Sequence, residues 1–202
     1  GCISDNAPAR KRCNDPTKCY LYRMPKKFGN CLEYAGFNLI SLANNHTWDF
    51  GEKGVEDTKS VLDSLGINYA GLDYKPYTIF DLNENQKIGF CSFAPNYRTP
   101  SLLNIGKAQS IVKELTKTCD VVIVSFHGGG EGSAYQNVTK KTEKCYGENR
   151  GNVYEFSHAM IDAGADVIIG HGPHVTRAIE IYKNKFIAYS LGNFCTYGRF
   201  RL

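Results

Sequence analysis

The chain has 202 residues, 42% hydrophobic and 22% charged, a composition that fits a folded domain and excludes disordered, collagen-like and coiled-coil classes. Its formal charge of +4 is spread over short patches, such as residues 9–12 and 183–185, which argues against nucleic acid as a partner. No apolar run approaches the roughly 20 residues of a membrane helix.

In chain order, residues 1–27 read as an irregular, polar segment containing Cys2, Cys13 and Cys19. Together with Cys31 these cysteines are compatible with cross-links that replace a missing local core and equally with free thiols. Residues 25–35 predict a short helix and residues 37–43 a buried strand. The stripe Val55, Val61, Leu62 and Leu65, stopped by Gly66, predicts a surface helix. Extended pieces follow at residues 68–72, 78–82 and 87–93, and Ala108, Ile111, Val112 and Leu115 mark another helix. The run DVVIVSFH, ending at His127, predicts a buried strand. Residues 128–149 read as a long loop, and loops of that length inside a compact domain are functional or mobile. Val153, Phe156, Ala159, Met160 and Ala163 predict a helix ended by Gly164, and His158 falls off its apolar stripe and reads as surface. ADVIIG predicts a further strand, and residues 177–194 predict a hairpin around Lys183–Asn184. Alternating strands and helices without a linker or repeat indicate a single α/β sandwich domain spanning residues 1–202.

Three of these strands end alike: at Asn44, Asn45 and His46; at His127; and at His171 and His174, so that four of the five histidines lie at strand ends. Ligands of open α/β sheets gather beyond the carboxyl ends of strands. Imidazole nitrogen and amide oxygen are competent ligands for first-row metals, and Asp49 is near enough in sequence to orient the His46 ring. Taken singly, Asn44 and Asn45 are also compatible with an Asx turn, and His127 with a hydrogen-bonded structural role. GHGPHV lacks the third glycine of a dinucleotide fingerprint, and GGGEGS lacks the Lys-Ser/Thr of a phosphate-binding loop.

SLANNHTWDFG, VSFHGGGEG, GENRG, IDAGADVIIGHGPHV and IAYSLGNF, in that order, resemble the CapA family of poly-γ-glutamate capsule biosynthesis proteins, from about Phe28 onward. That family is similar to calcineurin-like metallophosphoesterases. The resemblance implies a four-layer αββα sandwich, here lacking its first strand, and an N-terminally truncated domain whose upstream segment supplies acidic ligands absent from these residues. It implies metal ligands at Asn45, His127, His171 and His174, with His46 as the catalytic imidazole and Asp49 orienting it. The implied cofactors are two divalent ions (Mn, Fe or Zn), about 3.5–4 Å apart in enzymes of this kind. Asn44, Glu131 and Asn193 are expected as substrate or supporting contacts. The chain departs from the usual phosphoesterase pattern in two places: Asn44 stands where glycine is usual, and an extra residue separates His171 from His174.

The expected function is a metal-dependent hydrolase of the phosphoesterase type, acting on a phosphoester or polyglutamate-type substrate in capsule or cell-envelope polymer metabolism. The alternatives are a non-catalytic accessory protein of a polyglutamate synthesis or export complex, and a metal-dependent γ-glutamyl amide hydrolase. The expected location is extracytoplasmic or at the cell envelope, with membrane contact only through a segment outside this chain.

Overall fold

The computed structural model describes residues 1–10 and 20–193. It begins with a parallel pair of two-residue strands, β1 (Cys2–Ile3) and β2 (Arg23–Met24), so the N-terminal segment is less irregular than its composition predicts. The pair is tied down by polar contacts. Ile3 N–H donates to Thr58 Oγ1 at 2.8 Å, and Ser4 Oγ donates to Asp57 Oδ2 at 2.6 Å. Lys26 and Lys53 both reach the buried Asp57 carboxylate, at 2.8 and 2.6 Å. Burial pushes the pKa of Asp57 up, but these two ammonium groups and Ser4 outweigh it and hold the carboxyl well below its usual range. Cys2 and Cys31 are free thiols, the first buried and the second exposed; Cys13 and Cys19 lie outside the described residues.

The predicted short helix is a 3-10 turn at Lys26–Phe28 followed by α1 (Asn30–Tyr34). Next come β3 (Leu39–Ser41), α2 (Gly51–Ser64) and β4 (Asn68–Ala70), with β3 and β4 paired in parallel. The twofold alternation of strand side chains decides what this small sheet faces. Ile40 and Tyr69 point toward α2, where Val55 and Leu62 form a core with Leu42, Ile67 and Leu72. Ser41 points the other way, and its Oγ lies 2.5 Å from Ser92 Oγ on the larger sheet.

The larger sheet comprises β5 (Tyr77–Asn83), β6 (Gln86–Phe93), β7 (Val121–His127), β10 (Val167–His171), β11 (Ile179–Tyr182) and β12 (Lys185–Ala188). Its spatial order is β11-β12-β10-β7-β6-β5. The central four strands are parallel and the two outermost are antiparallel to their neighbours. Cys91, Phe93, Val122, Val124, Phe126, Ile168 and Ile187 share one face. They pack there with Val112 and Leu115 of α3 (Ile105–Leu115) and with Phe156 and Met160 of α4 (Val153–Asp162). Both helices open on an asparagine cap: Asn104 accepts from Lys107 N–H and Asn152 from Glu155 N–H. The layers therefore run α2, β3–β4, six-stranded sheet, α3–α4. This is the expected αββα order, with the smaller sheet reduced to two strands.

The β11–β12 turn falls on Lys183 and Asn184 as predicted, and both adopt positive φ (50° and 61°), which suits a two-residue hairpin. Two readings are corrected. The long stretch after His127 carries a second hairpin, β8 (Glu143–Cys145) with β9 (Glu148–Gly151), turning at Tyr146 and Gly147 with φ of 51° and 79°. His158 is not a free surface residue. Its ring stacks between Tyr182 and Tyr154 at 3.8 and 4.1 Å, and its Nε2 lies 3.1 Å from Glu180. Helix periodicity could not register the β11–β12 hairpin that covers this face.

Candidate active site

Parallel pairing of β7 with β10 sets His127 directly beside His171, in register and on the same face. Both belong to the face that carries Ser125 and, across β6, Ser92, the residue that meets Ser41 of the smaller sheet. The histidines thus stand at the strand ends between the two sheets. Backbone hydrogen bonds stitch their loops together: Gly128 N–H donates to His171 O at 2.8 Å, and Gly132 N–H to Pro173 O at 2.9 Å. Gly172 has φ of 114°, and a Cβ there would lie 2.9 Å from the Gly128 backbone, so this crossing requires glycine.

His127 is buried and its Nε2 has no hydrogen-bond partner. Burial, then the charge of Arg150, then the nearby His174, His171 and His46 push its pKa down to about 3. The ring is therefore neutral at ordinary pH and keeps a lone pair. Burial also lowers the pKa of His171. That His46, His171 and His174 all act on His127 brings the three strand ends into one electrostatic neighbourhood.

His46 sits on the turn after β3. Asn44 Oδ1 accepts from His46 N–H at 2.9 Å, so Asn44 forms the Asx turn that aims the histidine. His46 Nδ1 lies 2.7 Å from Asp49 Oδ2, a carboxylate that is itself buried. Asp49 also accepts from Tyr22 N–H at 3.1 Å, and the Tyr22 ring meets the His46 ring edge-on with centroids 4.5 Å apart. Asp49 accepting from Nδ1–H leaves Nε2 as the nitrogen available for proton transfer. Asn45 is half-buried on the same turn. His174 has φ of 59° and its Nδ1 lies 2.9 Å from Asn193 Oδ1, which fixes the ring from the rim.

Glu131 bonds to the buried Arg150. Behind it, Arg177 and Glu143 form a bidentate pair at 2.8 and 3.1 Å, and Glu143 also accepts from Gly130 N–H at 2.7 Å. Gly129 is packed so tightly against this pair that a Cβ would lie 2.8 Å from Arg177 Nη1. Tyr22, Glu143, Arg150 and Arg177 were not foreseen as site residues. Arg150 lies within GENRG, but nothing local to that pentapeptide signals burial.

The residues present are only partly suited to a metal. His127 offers an unpartnered, neutral nitrogen beside His171, yet no group of three or more His, Cys, Asp or Glu among the described residues is arranged to hold an ion. An ion here would need donors beyond Asn45, His127, His171 and His174, which offer only neutral nitrogen and amide oxygen.

The family model of the bacterial capsule synthesis protein PGA_cap matches residues 6–197. The chain belongs to this family. It is 34% identical over 178 residues to the PGA biosynthesis protein CapA of Bacillus subtilis, covering 81% of this chain and 43% of that protein. It is 30% identical over 179 residues to the capsule biosynthesis protein CapA of Bacillus anthracis, covering 79% and 40% respectively. A Mycobacterium tuberculosis relative, 27% identical over 77% of this chain and 44% of its own length, bears the name of a polyglutamine synthesis accessory protein. The chain thus spans less than half the length of these relatives. A solved structure described as a 5'-nucleotidase of Staphylococcus aureus superposes with a TM-score of 0.44 and 14% identity, over 83% of this chain and 39% of that one.

Proposed function

We propose that this PGA_cap protein is a hydrolase of the phosphoesterase type acting on a phosphoester substrate in capsule polyglutamate metabolism, water attacking phosphorus while His46 donates a proton to the leaving oxygen. The observation that carries the reading is the 2.7 Å His46–Asp49 contact. A carboxylate so placed fixes the tautomer and orientation of the imidazole, the arrangement general acid–base catalysis uses. His127 and His171 stand nearby to meet the reacting group, and Asn193 steadies His174 at the rim. A γ-glutamyl amide carbonyl is the other electrophile this chemistry could serve. A requirement for Mn, Fe or Zn and an envelope location belong to the same proposal; no described helix is long and apolar enough to cross a membrane.

A second reading, a non-catalytic accessory protein of polyglutamate synthesis, is favoured by the name that the Mycobacterium tuberculosis relative bears. The two are separated by assaying the protein against a generic phosphomonoester, a phosphodiester and a γ-glutamyl oligomer, each with and without added divalent metal. Hydrolysis of one of them, reduced about 100-fold or more in His46→Ala, supports the enzyme. No turnover of any of the three under any of these conditions supports the accessory role.

A further inference from the structure

Arg150 carries an anomaly that the proton chemistry of His46 does not use. Its side chain is 3% exposed. Nη2 bonds to Glu131, and Nε lies 3.4 Å from the exposed Glu148 carboxylate, too loose for a hydrogen bond. Nη1 is buried with no partner at all. A buried donor on a cation is costly to leave unsatisfied, and a guanidinium presents its N–H groups as a planar fork that suits a carboxylate or phosphate.

The position of this fork is set by the histidine loops. Gly129 N–H, two residues after His127, donates to Arg150 O at 2.9 Å, while Gly128 N–H holds His171 O. Arg150 is the charge with the greatest effect on the buried His127 ring. Glu131, its partner, acts in turn on the Tyr22 phenol, whose ring abuts His46. Arg150 and Glu131 therefore belong to the electrostatic surroundings of His127 and of the Tyr22 ring against His46. Arg177, the other buried arginine of this region, shows the contrast. Both of its terminal nitrogens are taken, by the Glu143 carboxylate and by Asn137 O at 2.7 Å, so that only Nε lacks a partner and the residue is a structural cation.

We infer that Arg150 is an oxyanion receptor of the histidine site, binding a phosphoryl or carboxylate group of the substrate through the unpartnered edge of its guanidinium, and that Glu131 is the internal anion that competes with this ligand. The inference rests on the proposed site but not on its turning over substrate. It predicts opposite effects for the two members of one ion pair. Removing the fork weakens anion binding, whereas neutralising its competitor strengthens it. An ion pair that merely held the loop would weaken binding when either member changed.

Binding of inorganic phosphate, and separately of γ-glutamyl-glutamate, is measured by calorimetry on the wild-type protein, Arg150→Lys and Glu131→Gln, with thermal unfolding recorded for each. At least one probe is expected to bind saturably. Arg150→Lys is expected to weaken it tenfold or more, and Glu131→Gln to tighten it several-fold. The probe that responds identifies the anion as phosphoryl or carboxylate. Neither probe binding, Arg150→Lys binding as tightly as wild type, or Glu131→Gln binding no more tightly than wild type would each overturn the inference. If Arg150→Lys fails to fold, Glu131→Gln decides alone. Failure of the hydrolytic reading looks different: turnover is absent while Arg150-dependent binding persists, and His46→Ala still binds the probe.

Discussion

Replacing Glu143 by alanine removes the partner of a guanidinium that is 0% exposed. Two hydrogen bonds to Arg177, at 2.8 and 3.1 Å, are lost together with those from Gly130 N–H at 2.7 Å and Thr139 Oγ1 at 3.1 Å. Breaking a buried pair from one side leaves an uncompensated charge and costs about 3–5 kcal/mol. The orphaned Gly130 N–H adds about 1–3 kcal/mol where water cannot reach it. Glu143→Ala should therefore lower the unfolding free energy in urea by at least about 4 kcal/mol, the low ends of the two penalties taken together. Replacing both partners with apolar side chains, as in Glu143→Ala with Arg177→Met, takes away the stranded charge, and the double variant should recover most of the loss. The same network anchors the backbone of the loop that carries Glu131, so Glu143→Ala should also impair the site. A Glu143→Ala penalty below about 1 kcal/mol, or a double variant as unstable as the sum of the two singles, would refute the claim that this buried pair organises the loop.

Three further outcomes are expected. His127 has its pKa pushed down to about 3 from a usual 6.5, so between those values the unfolded chain takes up a proton that the folded ring refuses. Stability should accordingly be full above about pH 6.5 and decline as pH falls toward about 3; imidazole NMR should show His127 neutral at pH 5, and a His127 resonance titrating near 6.5 would contradict this. Gly170→Ala would set a Cβ 2.4 Å from Tyr189 O and 2.5 Å from Phe126 Cζ; overpacking of this kind costs about 1–3 kcal/mol, read as a lowered denaturation midpoint. Asp49→Asn should retain most of the folded stability but reduce any turnover about 100-fold, with the loss in kcat rather than KM; a change confined to KM would assign Asp49 to binding.

The strands that carry the site were legible because DVVIVSFH and ADVIIGH are continuous apolar runs of the length and kind that a parallel sheet covered on both faces accommodates. Their shared ending in histidine pointed to one site, and the in-register pairing of His127 with His171 agrees with that. Asn44 resolved to one of its two readings, the turn, since its side chain is spent on His46 N–H. Segments whose structure depends on distant partners were not legible. Strand β8 is Glu-Lys-Cys and has no apolar alternation to announce it; Glu143 is buried because Arg177, 34 residues later, meets it there. Arg150 looks like any charge in a polar loop until the backbone bond from Gly129 ties it to the loop that follows His127. His158 was misread for the same reason, because its Tyr182 and Glu180 contacts come from another element.

Whether His46, His127, His171 and His174 act as one site is measured most directly by following all five imidazoles by nitrogen NMR while the protein is titrated with inorganic phosphate. His46, His127 and His171 are expected to shift along a single binding curve, accompanied by His174 at the rim, while His158, enclosed by Tyr154 and Tyr182, stays fixed. Shifts of a single histidine, or of His158 as much as the others, would contradict a shared site.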